Sequence, residues 1–145
     1  SKIERMILNS REASEFLLHG TVAAKHGVPL VFLSGDVGLC EEVSKVSPNT
    51  HTHATMLGVG DSTISMNPKE SSVQIKEKVR ASLNRNMTSC IWALPKRFEI
   101  TIRYMKHAAA YRASHYPGAA IVNDKSVRFA DQDYDNIMRF ILFCG

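Results

Sequence analysis

The fold is decided by residues 27–36, which read GVPLVFLSGD. Residues 30–33 form an apolar run without polar alternation, which is typical of a strand covered on both faces in a parallel sheet. Gly27 precedes the run and predicts the end of a helix, because helices often stop at a residue with positive φ. Asp36 follows the run and predicts the cap of a short helix through Val46, because its carboxylate can accept the unpaired N–H groups of the first turn. The segment therefore predicts a buried strand between two helices.

The sequence on either side of this segment extends the pattern to β-α-β-α. Residues 3–9 predict a strand, and apolar residues at helical spacing predict a helix over residues 12–26. The Asn-Pro pair at residues 67–68 predicts the start of another helix, because Asn can cap the first turn and Pro lacks the N–H that would be left unpaired. The first part of the chain is therefore predicted to be a segment of a mainly parallel sheet.

The last third of the chain predicts a second, smaller unit. Apolar and polar residues alternate over residues 98–104, which is the pattern of a strand with one buried face. A helix over residues 105–115, two short strands and a final helix capped by Asp131 are predicted to follow. This β-α-β-β-α order, added to the first part, predicts an α/β protein with two domains, residues 1–86 and residues 95–145.

The composition excludes several classes of protein. The 145 residues are 44% hydrophobic and 22% charged, which suits one compact domain or two small subdomains. The net charge of +4 comes from the middle of the chain, where basic and acidic residues are interleaved, so we expect a solvated helix face and no nucleic-acid partner. No apolar run approaches the roughly 20 residues of a membrane helix, so we expect no membrane association. Three cysteines without a C-x-x-C spacing favour a reduced, cytoplasmic protein.

A few residues could carry chemistry. Glu15 and His19 are four positions apart on the predicted first helix and therefore share a face. They could share a metal ion, or they could form an ordinary surface pair. His51 and His53 would lie on one face of a strand, but two ligands without a third are weak evidence for a metal site. Helix capping explains Asp36, and the pattern alone identifies no catalytic residue.

Several motifs occur in an order that points to a known family. The first are residues 9–15 with the small-residue helix that follows them, and residues 27–36. Next come Asn-Pro at residues 67–68, and Pro-Gly at residues 117–118 before Val-Arg-Phe at residues 127–129. This order resembles the D-aminopeptidase family of zinc peptidases. The resemblance covers nearly the whole chain and about half of the usual length of a family member.

The resemblance implies a binuclear zinc site. Such a site is built from an early Asp-x-Glu pair, later histidines and a glutamate at the start of a helix, which Glu15 matches. Two zinc ions bridged by a water would supply hydroxide at neutral pH and polarise an amide carbonyl. His19 and Asp36 stand where the resemblance implies substrate contacts, the substrate being a short peptide with an N-terminal D-residue. No Asp-x-Glu pair precedes Glu15, so we expect a complementary N-terminal segment or another subunit to complete the metal site.

These expectations lead to one hypothesis and one alternative. The hypothesis is that the chain is the C-terminal part of a zinc-dependent D-aminopeptidase, which hydrolyses the N-terminal amide bond of short peptides, and that it is inactive alone. Residues 1–86 would then be the C-terminal part of a catalytic α/β domain, and residues 95–145 a small α+β assembly domain of a ring-like homo-oligomer. The alternative is a catalytically inactive truncated homologue that acts as an oligomeric scaffold or as a small-molecule-binding module.

Overall fold

The computed structural model of the protein describes residues 2–145, and its helices and strands have the following bounds. The strands are β1 (Ile3–Leu8), β2 (Arg11–Glu12), β3 (Phe32–Asp36), β4 (His51–Val59), β5 (Ser62–Ser65), β6 (Phe98–Tyr104), β7 (Ala120–Asn123) and β8 (Ser126–Asp131). The α-helices are α1 (Glu15–Lys25), α2 (Val37–Val46), α3 (Pro68–Leu83), α4 (His107–Ala113) and α5 (Tyr134–Cys144), and a 3₁₀-helix spans Met87–Cys90. Within residues 2–145, none of the helices combines the length and the apolar character needed to cross a bilayer.

These elements form two compact units. One unit contains the chain up to residue 22 together with residues 94–145, and the other contains residues 23–93. This division differs from the predicted boundary between residues 86 and 95, because β1 pairs with β6. The first strand therefore belongs with the C-terminal part of the chain. Local sequence patterns specify a strand, but they do not specify its partner.

The first unit is built on a five-stranded sheet with the order β2-β1-β6-β8-β7, in which all neighbours are antiparallel. The alternation predicted for residues 98–104 is confirmed: every second side chain of β6, from Phe98 to Tyr104, is buried. On the buried side, the ring of Phe140 from α5 stacks on Phe129 of β8 at 5.0 Å between centroids. This aromatic and aliphatic layer is the core of the first unit.

The second unit contains a three-stranded sheet with the order β3-β4-β5. β3 and β4 are parallel, and β4 and β5 are antiparallel. Thr52 and Ala54 of β4 line a groove beside α2, whereas His51 of β4 is bonded to Ser82 of α3. Successive side chains of a strand point to opposite faces, so α2 and α3 lie on opposite faces of this sheet.

The fold is mixed α/β, but it is not mainly parallel. Among the described strands, β3 and β4 form the one parallel pair. The strand predicted at residues 30–33 begins at Phe32 and lies at the edge of its sheet instead of between two neighbours. The expectation of a mainly parallel sheet depended on β1 joining this sheet, and β1 pairs elsewhere because its apolar residues complete the core face beside β6.

The predicted helix caps are confirmed at two of three positions. Asp36 accepts a hydrogen bond from the N–H of α2's first turn, and Asn67 does the same for α3. The cap of α5 was expected at Asp131, but it is Asp133, whose Oδ1 accepts from the N–H of Asp135 at 3.1 Å. β8 extends to Asp131, and the carboxylate of Asp131 accepts from the Asp133 N–H instead. With two aspartates two positions apart, the length of the strand decides which one caps the helix.

Two buried tyrosines form hydrogen bonds between parts of the first unit that are distant in sequence. The hydroxyl of Tyr104 donates to the carbonyl of Cys144 at 2.9 Å, and that of Tyr134 donates to the carbonyl of Leu18 at 3.1 Å. Burial raises the pKa of both phenols to about 12. A tyrosine in an unfolded chain has a pKa of about 10. Between about pH 10 and about pH 12 the unfolded chain therefore binds fewer protons than the folded protein.

We expect the free energy of unfolding to decrease as the pH rises from about 10 to about 12, because ionisation of these phenols favours the unfolded chain. Chemical unfolding at a series of pH values measures this slope. Tyr134→Phe should make the slope shallower, whereas Tyr111→Phe, at an exposed position, should leave it unchanged. Equal slopes in the wild-type protein and in Tyr134→Phe would contradict the assignment of the pH dependence to the Tyr134 phenol.

Candidate functional site

The candidate site begins with the turn that leads into α1. Asn9 and Ser10 have positive φ values of 45° and 68°, which reverse the chain after β1. The N–H of Ala13 then donates to the carbonyl of Met6 at 2.9 Å, and the hydroxyl of Ser14 accepts from the N–H of Leu17 at 3.1 Å. Ser14 is thereby the cap of α1, which starts at Glu15. The helix predicted over residues 12–26 starts later because β2 takes up Arg11 and Glu12.

One face of α1 is anchored in the core. Phe16, Leu17 and Leu18 are buried, and the buried hydroxyl of Thr21 donates to the carbonyl of Leu17 at 2.6 Å. The Tyr134 hydroxyl also donates to the carbonyl of Leu18. The helix therefore has little freedom to rotate, and its remaining face is directed to solvent. Gly27 ends the turn after the helix with φ +66°, as predicted.

Glu15 and His19 are exposed on that remaining face, one helical turn apart. Neither side chain forms an ion pair or hydrogen bond with another residue of 2–145. A carboxylate oxygen and an imidazole nitrogen are both zinc ligands, so the donor types fit a zinc ion. Their number does not, because a catalytic zinc site uses three protein ligands, and no group of three such donors lies together among residues 2–145. The described residues therefore do not make a complete zinc site.

Asp36 lies where β3 ends and α2 begins. Its Oδ1 accepts from the N–H of Leu39 at 2.8 Å, and its side chain is exposed. The residue therefore caps α2, and capping is a sufficient explanation for an aspartate here. The second carboxylate oxygen has no hydrogen bond within residues 2–145, so capping does not prevent a further contact.

The two histidines of β4 are not arranged as metal ligands. The hydroxyl of Ser82 donates to the carbonyl of Lys78 at 2.7 Å, so Nδ1–H of His51 donates to that hydroxyl, 2.8 Å away. The guanidinium of Arg85 donates to Nε2 of the same ring. Both ring nitrogens of His51 are thus in use, and the ring cannot bind a metal without losing a hydrogen bond. His53 is buried, and its Nε2 lacks a partner among residues 2–145.

Sequence reasoning did not find the cluster around His51. Ser82 lies 31 residues away along the chain, near the end of α3, and Arg85 lies 34 residues away, just after that helix. Nothing in the local pattern of α3 distinguishes Ser82, which is buried, from the other serines of the helix. The cluster joins the start of β4 to the end of α3, so its evident role is structural.

Comparison with known proteins decides the family. Residues 1–143 match the sequence model of a family described as D-aminopeptidase. The chain belongs to the D-aminopeptidase family. No curated protein sequence matches the chain significantly. The resemblance inferred from the motifs is therefore confirmed over almost the entire sequence.

A solved D-aminopeptidase has a similar structure. It is described as the Zn-dependent D-aminopeptidase DppA from Bacillus subtilis, a self-compartmentalizing protease, and it matches with a TM-score of 0.88 at 21% sequence identity. The match covers 99% of this chain and 53% of the DppA chain. The chain thus spans about half the length of that relative. At this identity the likeness establishes a shared fold, and the sequence match establishes the family.

The cap at Asp36 can be tested by two substitutions. Asp36→Ala should lower the free energy of unfolding by about 1 kcal/mol, because the N–H of Leu39 loses its acceptor. Asp36→Asn should keep most of the stability, because Asn caps helices about as well as Asp. Urea unfolding measures both, with Glu41→Ala on the exposed side of α2 as the control. Equal stability of Asp36→Ala and Asp36→Asn would contradict the capping role.

Proposed function

We propose that this chain forms the C-terminal part of a zinc-dependent D-aminopeptidase, which hydrolyses the N-terminal amide bond of short peptides. In this proposal Glu15 is a metal ligand, and another segment or subunit supplies the remaining ligands. Membership of the D-aminopeptidase family supports the reaction class. The Zn-dependence of DppA, which shares the fold, supports the choice of metal.

The observation that carries the proposal is the position of Glu15. The carboxylate is exposed at the first residue of α1, on a helix whose opposite face is buried and hydrogen-bonded. The anchored helix fixes the position of the Glu15 backbone, so the carboxylate is held within a limited region before it binds a metal ion. Glu15 is also free of competing ion pairs within residues 2–145, unlike Glu12, which pairs with Arg5 at 3.1 Å.

His19 and Asp36 are proposed to contact the substrate. His19 is exposed one turn after Glu15, and an imidazole can donate or accept a hydrogen bond. Asp36 has one carboxylate oxygen that is not used in capping, and a carboxylate suits an amide N–H or an ammonium group. A short peptide offers both kinds of partner.

The proposal also includes assembly and location. DppA is described as self-compartmentalizing, and on that basis we propose that this protein works as a homo-oligomer. A cytoplasmic location is proposed because Cys40, Cys90 and Cys144 are free thiols, as is usual in a reducing compartment.

A second candidate is an inactive homologue that serves as a scaffold or binds a small molecule. One observation favours it: an open groove of about 410 Å³ runs between α2 and β4, and it is lined by Val37, Cys40, Glu41, Ser44, Lys45, Thr52 and Ala54. Small-molecule sites have volumes of this order and mostly apolar linings. This candidate requires no zinc and no dependence on Glu15.

The zinc content of Glu15 variants distinguishes the two candidates. The protein completed by its missing segment or subunit should contain zinc and release the N-terminal residue of short peptides that begin with a D-residue. Glu15→Gln should reduce zinc affinity and peptide release by at least the roughly 10–100-fold that is typical for loss of an outer-shell partner, because here a direct carboxylate ligand is replaced by a neutral amide. Elemental analysis measures the metal, and peptide hydrolysis measures the activity.

The matched control is Glu12→Gln, a nearby exposed glutamate that is proposed to bind no metal. Unchanged zinc content in Glu15→Gln would overturn the role of Glu15. Stoichiometric zinc in the 145-residue chain alone would show that the site needs no other segment, contrary to the proposal.

A further inference from the structure

A cavity of about 320 Å³ lies beside α4, in the first unit. Its lining residues are Lys2, Met105, Lys106, Ala108, Ala109 and Arg112. The N–H of Met105 donates to the carbonyl of Lys2 at 3.0 Å, so the loop after β6 is held against the start of β1. A second cavity of about 230 Å³ shares three of these residues and extends to the end of α5.

The position of α4 is fixed by its buried face. Ala110 and Ala113 are buried, and the helix packs on β6 and β8. The helix thereby holds Ala108, Ala109 and Arg112 at the cavity. Because the side chain of alanine is a single methyl group, the two alanines leave space between the helix and the loop after β6. The backbone that surrounds the cavity is therefore in place before a ligand binds, which lowers the cost of binding.

The charged side chains around the cavity all have the same sign. Lys2, Lys106 and Arg112 are cations, and among the described residues no aspartate or glutamate lines the larger cavity. None of the three side chains forms an ion pair or a hydrogen bond within residues 2–145. Cations around one cavity repel each other, and a cavity lined by charges of one sign attracts ions of the opposite sign. The charge of the site therefore suits an anion.

Arginines elsewhere in the same unit have acidic partners. On the face of the five-stranded sheet that is opposite the core, Arg103 pairs with Glu4 at 3.0 Å. Arg5 of β1 pairs with Glu12 of β2 at 3.1 Å. The surface of the sheet thus balances its cations with carboxylates of the chain itself. Arg112 has no such partner within residues 2–145, which distinguishes the cavity from an ordinary charged surface.

The rest of the lining is apolar. Met105 is a large apolar side chain that is 54% exposed, and Phe143, which lines the second cavity, is 71% exposed. Together with the methyl groups of Ala108 and Ala109, these side chains favour contact with an apolar group of a ligand. Small-molecule sites combine an apolar lining with a few polar groups, and 320 Å³ is at the lower end of their range of roughly 300–1,000 Å³.

We propose that the cavity lined by Lys2, Lys106 and Arg112 binds a small organic anion, either a carboxylate or a phosphate monoester, that carries an apolar group. The cations bind the anion through charge-assisted hydrogen bonds, and Met105 and the alanines contact the apolar group. The anion is placed in the larger cavity because the smaller one is also lined by Gly145. The site uses no zinc and no residue of α1, so it does not depend on the proposed function.

Titrations of the 145-residue chain, followed by the NMR chemical shifts of its amides, test the proposal. The probes are 4-phenylbutyrate and phenyl phosphate, which both join an anion to an aromatic ring, and the tighter of the two identifies the preferred anion. 4-Phenylbutyramide lacks the charge, and acetate and inorganic phosphate lack the apolar group. Each of these three should bind about 10-fold more weakly or less than the better probe. The shifts that change should be those of Met105, Ala108 and Ala109.

Variants of the chain separate the contributions to binding. Arg112→Gln should weaken binding of the better probe by about 10-fold or more, because a charge-assisted hydrogen bond is lost. Ala109→Met should also weaken binding, because the longer side chain fills the cavity without changing its charge. Arg80→Gln is the matched control, since Arg80 is an exposed arginine on α3 in the other unit, and it should leave binding unchanged. If Arg112→Gln does not fold, Lys106→Gln, at another exposed position, makes the same test.

Three results would overturn the proposal. They are the absence of binding by both anionic probes at millimolar concentration, equally tight binding of 4-phenylbutyramide, and unchanged binding in Arg112→Gln. Shift changes confined to residues outside 105–112 would place the ligand elsewhere and overturn it as well. The measurement does not involve zinc or Glu15, so the failure of this proposal and the failure of the proposed function are distinguishable.

Discussion

The rest of the first unit depends on the antiparallel pairing of β1 with β6. Asn9 secures the end of this pairing: its N–H donates to the carbonyl of Glu99 at 2.9 Å, and its side-chain oxygen accepts from the N–H of Glu99 at 2.7 Å. The two residues are 90 positions apart, so the chain must close a long loop before these bonds form. Once these bonds form, the conformation of the turn after β1 is fixed. The turn in turn fixes the residue at which α1 begins.

The candidate site is a consequence of this arrangement. α1 presents Glu15 and His19 to solvent because its other face is buried and because Tyr134 bonds to one of its carbonyls. The helix is thus a rigid support for a carboxylate and an imidazole that have no partner within residues 2–145. Two donors are too few for a catalytic zinc ion, which is why the family relationship leads to a proposal of a shared site.

The second unit has two features that lower its stability. β3 has the sequence of an interior strand but occupies an edge, and the buried ring of His53 on the neighbouring strand has a nitrogen without a partner among residues 2–145. Both features cost free energy in the isolated chain, the first through exposed apolar surface and the second through an unsatisfied polar atom.

By itself the sequence determined the local elements, because these depend on neighbouring residues. Capping by Asp36 and Asn67, the stop at Gly27 and the alternating burial of β6 each follow from a few adjacent side chains and were predicted correctly. The motifs also determined the family, because their order along the chain is a property of sequence. The same local reasoning put the cap of α5 at Asp131 instead of Asp133, since the end of a strand depends on its partner.

Only the tertiary structure decided which elements meet. It placed β1 beside β6, left β3 at an edge, and brought Ser82 of α3 and Arg85, which follows α3, to the ring of His51. It also showed that Glu15 and His19 share an exposed face, with no third donor nearby among residues 2–145. The physical reason is that strand pairing and side-chain clustering depend on the packing of residues that are far apart in sequence. The spacing of residues within one element does not identify the elements that it packs against.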